Sequence, residues 1–121
     1  ILPKDVVCAE MPLVLKDPSK EMATKVAPAD HVPPGWAGLD LGPGSLAQLE
    51  EALADCRTIV WYGPVGALEY SQFGRGTEYV AEHLAHRTEE EGITTIIIGT
   101  EAPREVNRLG LNPRMTHVSI G

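Results

Sequence analysis

The residues best suited to chemistry in this chain lie in one run, Trp61-Tyr62-Gly63-Pro64-Val65-Gly66-Ala67-Leu68-Glu69. The run follows Thr58-Ile59-Val60, whose β-branched, apolar character predicts the end of a buried strand. Gly63, Pro64 and Gly66 then predict a tight turn in which backbone N–H groups come close to a ligand. A helical pattern follows from about Gln72 to His86. Strand, Gly-rich turn and helix in that order is the arrangement with which α/β folds hold a phosphate at a helix N-terminus. His83 and His86 stand at i, i+3 beside Glu78 and Glu82. A zinc site needs more converging ligands than that spacing supplies, so this reads as a solvated helix face.

The elements that must position that turn can be read along the chain. Asp5–Ala9 is a short β-branched strand. Residues Glu10 to Pro34 carry five prolines and mixed charge, and read as loops with a brief strand near Ala23–Val26. Gly35 to Gly44 is a turn–strand–turn element around Leu39 and Leu41. Ser45 and Gln48 have the spacing of a capping box, with Leu46, Leu49, Ala52 and Leu53 facing inward on the helix that follows. Arg57–Tyr62 is a strand. The next helix should turn Tyr79, Val80, Ala81, Leu84 and Ala85 inward. Thr94–Ile98 reads as a fully buried strand. A third helix starts near Pro103 and stops at Gly110, and Val118–Ile120 is a last strand fragment. Trp36 and Trp61 read as core anchors. Strands alternating with helices predict an α/β fold with a parallel sheet and right-handed crossovers, a Rossmann-like three-layer sandwich. Residues 1–121 read as a single domain, with no boundary inside.

Composition sets limits. The chain has 121 residues, 43% of them hydrophobic and 5% aromatic, so aliphatic side chains must fill most of the core. Ten Lys and Arg against 17 Asp and Glu give a net charge of −7, which argues against nucleic acid or an anionic membrane surface as partner. No apolar run reaches membrane length. Cys8 and Cys56 make no disulfide framework and read as packing residues in an intracellular, cytoplasmic protein. The chain opens on Ile1 without Met and stops at Gly121 after an apolar run, which reads as a portion of a longer polypeptide.

Three ordered motifs resemble phosphoglycerate kinase. Gly35-Trp36-Ala37-Gly38-Leu39-Asp40-Leu41-Gly42-Pro43 is similar to the family's G-W-M-G-L-D-x-G-P, and Thr58–Glu69 to T-I-V-W-N-G-P-x-G-x-F-E. His117-Val118-Ser119-Ile120-Gly121 is similar to the start of H-V-S-T-G-G-G. Leu2-Pro3-Lys4-Asp5-Val6-Val7 and Phe73–Thr77 also match family segments. The resemblance covers nearly the whole chain but less than a third of such a kinase, within its C-terminal, nucleotide-binding half. It implies that Gly38 and Leu39 line an adenine site, that Gly63, Pro64 and Gly66 shape the loop, and that Glu69 binds ribose hydroxyls. It also implies that Gly99 lies at the phosphates, Glu101 at the metal, and that the cofactor is ADP or ATP with Mg²⁺.

The departures fall on the phosphate end. Tyr62 replaces the Asn of W-N-G-P. Thr95–Ala102 replaces T-I-I-G-G-G-D-T, so that Ile98 and Thr100 stand where the family has glycine, Glu101 where it has Asp, and Ala102 where it has Thr. Side chains at those positions oppose a close backbone approach to phosphate, and octahedral Mg²⁺ tolerates a displaced carboxylate poorly. Phosphoryl transfer rests almost wholly on positioning and charge stabilisation, so these changes weigh against turnover. The first expectation is therefore a pseudoenzyme domain. It would serve as a structural or interaction module in a longer protein or a cytoskeletal or other large assembly, with other domains of the parent chain or protein subunits as partners. The alternative is a portion of a divergent active kinase. A third reading is a regulator that holds nucleotide without turnover. The truncated sheet should expose an apolar edge that another chain segment or a partner covers.

Overall fold

The computed structural model describes residues 2–11 and 22–119. The chain divides into two compact units, residues 1–51 with 65–76 and residues 52–64 with 77–121.

The first unit is built on β1 (Asp5–Glu10), which pairs antiparallel with both β2 (Lys25–Pro28) and β3 (Trp36–Leu41). The expected parallel sheet is therefore corrected for this part of the chain, where β1 has an antiparallel partner on each side. The β1–β3 ladder shifts register between Val7 and Cys8. Beneath it Ala9, Met22 and Phe73 form a buried apolar cluster joined by Val7, Leu39, Ala67 and Tyr70. The Tyr70 and Phe73 rings meet edge to face at 5.9 Å, an arrangement the ring quadrupoles favour. Trp36 is only half-buried, and it carries Lys25 Nζ 4.0 Å above its ring instead of anchoring the core.

Helix α1 (Pro43–Leu53) opens with Pro at its first position, where a missing N–H costs nothing. The expected Ser45 cap is corrected, because Ser45 lies inside the first turn and its hydroxyl donates to the Asp5 carbonyl at 2.6 Å. The cap comes from Asp5, whose carboxylate accepts the N–H groups of Gly44 at 3.0 Å and Ser45 at 2.6 Å. Ala52 is exposed rather than inward. A 3₁₀ turn (Ser71–Phe73) precedes α2 (Arg75–Glu91), so the helix proper starts later and ends later than the periodicity predicts.

The second unit holds a parallel sheet in the order β4 (Thr58–Tyr62), β5 (Thr94–Ile98), β6 (His117–Val118). One face carries buried Ile59, Trp61, Thr95 and Ile97. The other carries Val60 and Tyr62, 58% and 75% exposed, beside half-buried Ile96 and Ile98. The expected full burial of Thr94–Ile98 is thus corrected to alternation. Val80, Ala81, Leu84 and Ala85 are buried on α2, whereas Tyr79 is exposed and stacks its ring on His83 at 6.5 Å. Helix α3 (Glu101–Arg108) ends in a Schellman motif: Gly110, at φ +72°, donates to Asn107 O and Leu111 donates to Val106 O, both at 3.0 Å. Buried Arg87 closes α1, its guanidinium donating to the carbonyls of Leu53 (2.6 Å), Ala54 (3.2 Å) and Cys56 (3.1 Å). The last strand is shorter than Val118–Ile120, and Ile120 lies outside the described residues.

Candidate functional site

The residues nominated from the sequence fall in both units: Gly38, Leu39, Gly66 and Glu69 in the first, Gly63, Pro64, Gly99 and Glu101 in the second. In the second unit the parallel register Tyr62↔Ile98 brings the turn after β4 beside the turn after β5. The carboxyl ends of neighbouring parallel strands are where α/β sheets place ligands. Gly63 (φ +85°) and Gly99 (φ +97°) adopt backbone angles that a side chain strains against. Trp61 Nε1 donates to the Gly63 carbonyl at 2.6 Å, which fixes the first turn from the buried face of its own strand.

Gly99 leads directly into α3. Thr100 is the N-cap residue but makes no side-chain cap hydrogen bond, and Glu101 is exposed at the first helical position. Among the described residues no three His, Cys, Asp or Glu side chains converge, so Glu101 belongs to no such cluster. A cavity of about 340 Å³ opens beside Gly99 and Thr100, and Arg104 is the only formal charge among the described residues on its wall. The open side of Gly99 is taken: a Cβ at that position would lie 3.1 Å from Tyr62 Cε2 and 3.2 Å from Cδ2.

In the first unit Ala67 N–H donates to the Leu39 carbonyl at 2.8 Å, tying the Gly66 turn to β3. Gly38 is exposed on β3 and lies against Val6, Leu39 packs on the Phe73 cluster, and Glu69 is exposed. Gly66 serves packing: a Cβ there would fall 2.5 Å from Asp40 Oδ1. Asp40 is the polar group the sequence reading missed. It is 5% exposed, accepts the Leu41 N–H on Oδ1 and the Gly76 N–H on Oδ2, each at 2.9 Å, and so caps α2 from β3. Burial raises its pKa against those two hydrogen bonds. For Asp5 burial also acts upward, but the Ser45 hydroxyl and the Gly44 and Ser45 N–H groups outweigh it and lower the pKa. The glycines at 42, 66 and 76, each crowded by a carboxylate, were the signal available in the sequence.

A family model for phosphoglycerate kinase matches residues 1–121. The chain belongs to the phosphoglycerate kinase family. It is 43% identical over 121 residues to the phosphoglycerate kinase of Synechococcus elongatus and 40% identical over 121 residues to cytosolic phosphoglycerate kinase 3 of Arabidopsis thaliana, covering all of this chain and 28% of each relative. The solved phosphoglycerate kinase of Coxiella burnetii superposes with a TM-score of 0.82 at 28% identity, over 98% of this chain and 28% of that one. The chain thus spans a little over a quarter of the length of these kinases and is a partial phosphoglycerate kinase domain of mixed α/β fold with a parallel sheet. The kinase family implies ADP or ATP with Mg²⁺, and the turn after β5 is where this chain departs from the family's glycine-rich pattern. There the Tyr62 ring edge lies where a Cβ on Gly99 would point, Ile98 and Thr100 flank that glycine, and among the described residues Glu101 belongs to no cluster of three His, Cys, Asp or Glu side chains.

Proposed function

We propose that this phosphoglycerate-kinase segment belongs to a protein that has given up phosphoryl transfer and serves as a structural or interaction module. Its partners would be the other domains of its own chain or the protein subunits of an assembly. The observation that supports the reading is the β5–α3 junction, where Gly99 alone keeps a glycine backbone between Ile98 and Thr100 and the N-cap side chain makes no cap bond. A site that works by donor placement loses about 2.7–4 kcal/mol of transition-state stabilisation for each donor removed, on the scale of an oxyanion hole. Exposed Val60 and Tyr62 on β4 offer the apolar surface such a module needs. The net charge of −7 favours protein partners over nucleic acid. A cytoplasmic location is part of the same proposal; among the relatives, phosphoglycerate kinase 3 of Arabidopsis thaliana is named cytosolic and its phosphoglycerate kinase 2 chloroplastic.

The test is turnover by the intact polypeptide with MgATP and 3-phosphoglycerate, followed by coupled NADH oxidation. Background rate is the expected result, and steady turnover would sink the reading. A second reading, a divergent active kinase, draws on Gly63 and Gly99, which keep the positive φ a phosphate-approaching backbone requires, and on relatives named as phosphoglycerate kinases. The same assay decides between them.

A further inference from the structure

We infer that Tyr62 is the residue that bars phosphoryl groups from the Gly99 turn. The inference deepens the loss of phosphoryl transfer proposed above and rests on it.

Tyr62 ends β4 and Gly99 follows β5, and the in-register pairing of Tyr62 with Ile98 puts the ring one residue short of the glycine it covers. The ring edge lies 3.1–3.2 Å from the place a Cβ on Gly99 would take. That is contact along a glycine whose φ of +97° already turns its backbone outward at the carboxyl end of a parallel sheet. The contact does little for the core, because the side chain stays 75% exposed. No hydrogen bond to the Tyr62 hydroxyl is found among the described residues, so the phenol is not held there by a polar partner. What the ring does is fill space. A phosphate oxygen accepting from a backbone N–H must come within about 2.7–3.2 Å of the nitrogen, and an aromatic ring on the side of Gly99 where a Cβ would stand narrows the room for it at this turn. An asparagine at this position is shorter by most of the ring and brings an amide donor instead.

The experiment compares the intact polypeptide as wild type, Tyr62→Asn and Tyr62→Phe, by calorimetric titration with MgADP and, separately, with adenosine. Tyr62→Asn should bind MgADP at least tenfold more tightly than wild type, with adenosine affinity unchanged. Tyr62→Phe should match wild type, since the ring and not the hydroxyl makes the barrier. Hydrogen exchange of the peptide carrying Gly99 should quicken in Tyr62→Asn alone. Tyr62→Asn that gains no MgADP affinity, or binds none, overturns the inference, as does a Tyr62→Phe that gains as much. Turnover by the wild type would sink the wider reading, while the ratio of MgADP affinities between Tyr62→Asn and wild type reads the barrier separately.

Discussion

Two helix starts in this molecule look alike on paper and differ in what holds them. At the start of α2 a buried carboxylate, Asp40, reaches across from β3 to the Gly76 N–H, and glycines at 66 and 76 leave room for it. At the start of α3 a glycine turn also precedes the helix, but Thr100 makes no cap bond and the space over Gly99 is filled by an exposed ring. Each glycine in the first place is crowded by atoms the fold needs. The glycine in the second is crowded by a side chain the fold could lose. One helix start is thus held by a buried polar group from another element and the other is not.

Replacing Asp40 by Ala should do the most damage. It leaves the buried Gly76 N–H and the part-buried Leu41 N–H without that acceptor, at about 1–3 kcal/mol for a buried group, so a loss near 3 kcal/mol is expected in urea unfolding of the intact polypeptide. A loss below 1 kcal/mol would place the start of α2 with that of α3. An intermediate effect comes from pH. Asp5 titrates below its ordinary value of 3.8 in the folded state, so its contribution is complete above that pH and disappears as the pH falls through the lower, folded value. Asp40 titrates above 3.8, so the folded state takes up its proton first and this residue favours folding increasingly as the pH falls toward 3.8. Stability measured from pH 7 down to 3 should show Asp5→Ala and Asp40→Asn deviating from wild type with opposite slopes, and parallel slopes would break the distinction. The smallest effect belongs to the other helix start, where Thr100→Ala and Tyr62→Ala should each stay within about 0.5 kcal/mol of wild type.

The elements that show in the sequence are those whose causes are local. Gly110 stops α3 because a left-handed residue is needed one position past the helix, and β4 is visible because Thr58–Trp61 is β-branched and apolar before a Gly-Pro turn. Ser45 misled for the complementary reason. Its spacing to Gln48 is a sound local pattern, yet its hydroxyl bonds the main chain of Asp5, 40 residues away. Asp40 and Gly76 are separated by 36 residues, and no periodicity connects them. The antiparallel first sheet was hidden by the same distance. The motifs carried the family, and the Tyr62 substitution was plain, but its contact with Gly99 exists only through the pairing of β4 with β5.

Arg87 sets an order of events on the chain. Helix α1 runs out into Ala54-Asp55-Cys56, which holds neither glycine nor proline to end it, and the carbonyls of Leu53, Ala54 and Cys56 turn to a guanidinium more than 30 residues later. That corner cannot take its final shape while the polypeptide is still being made only as far as β4. Those three bonds wait until α2 has been synthesised and presents Arg87, so the end of one helix is finished by the arrival of the next.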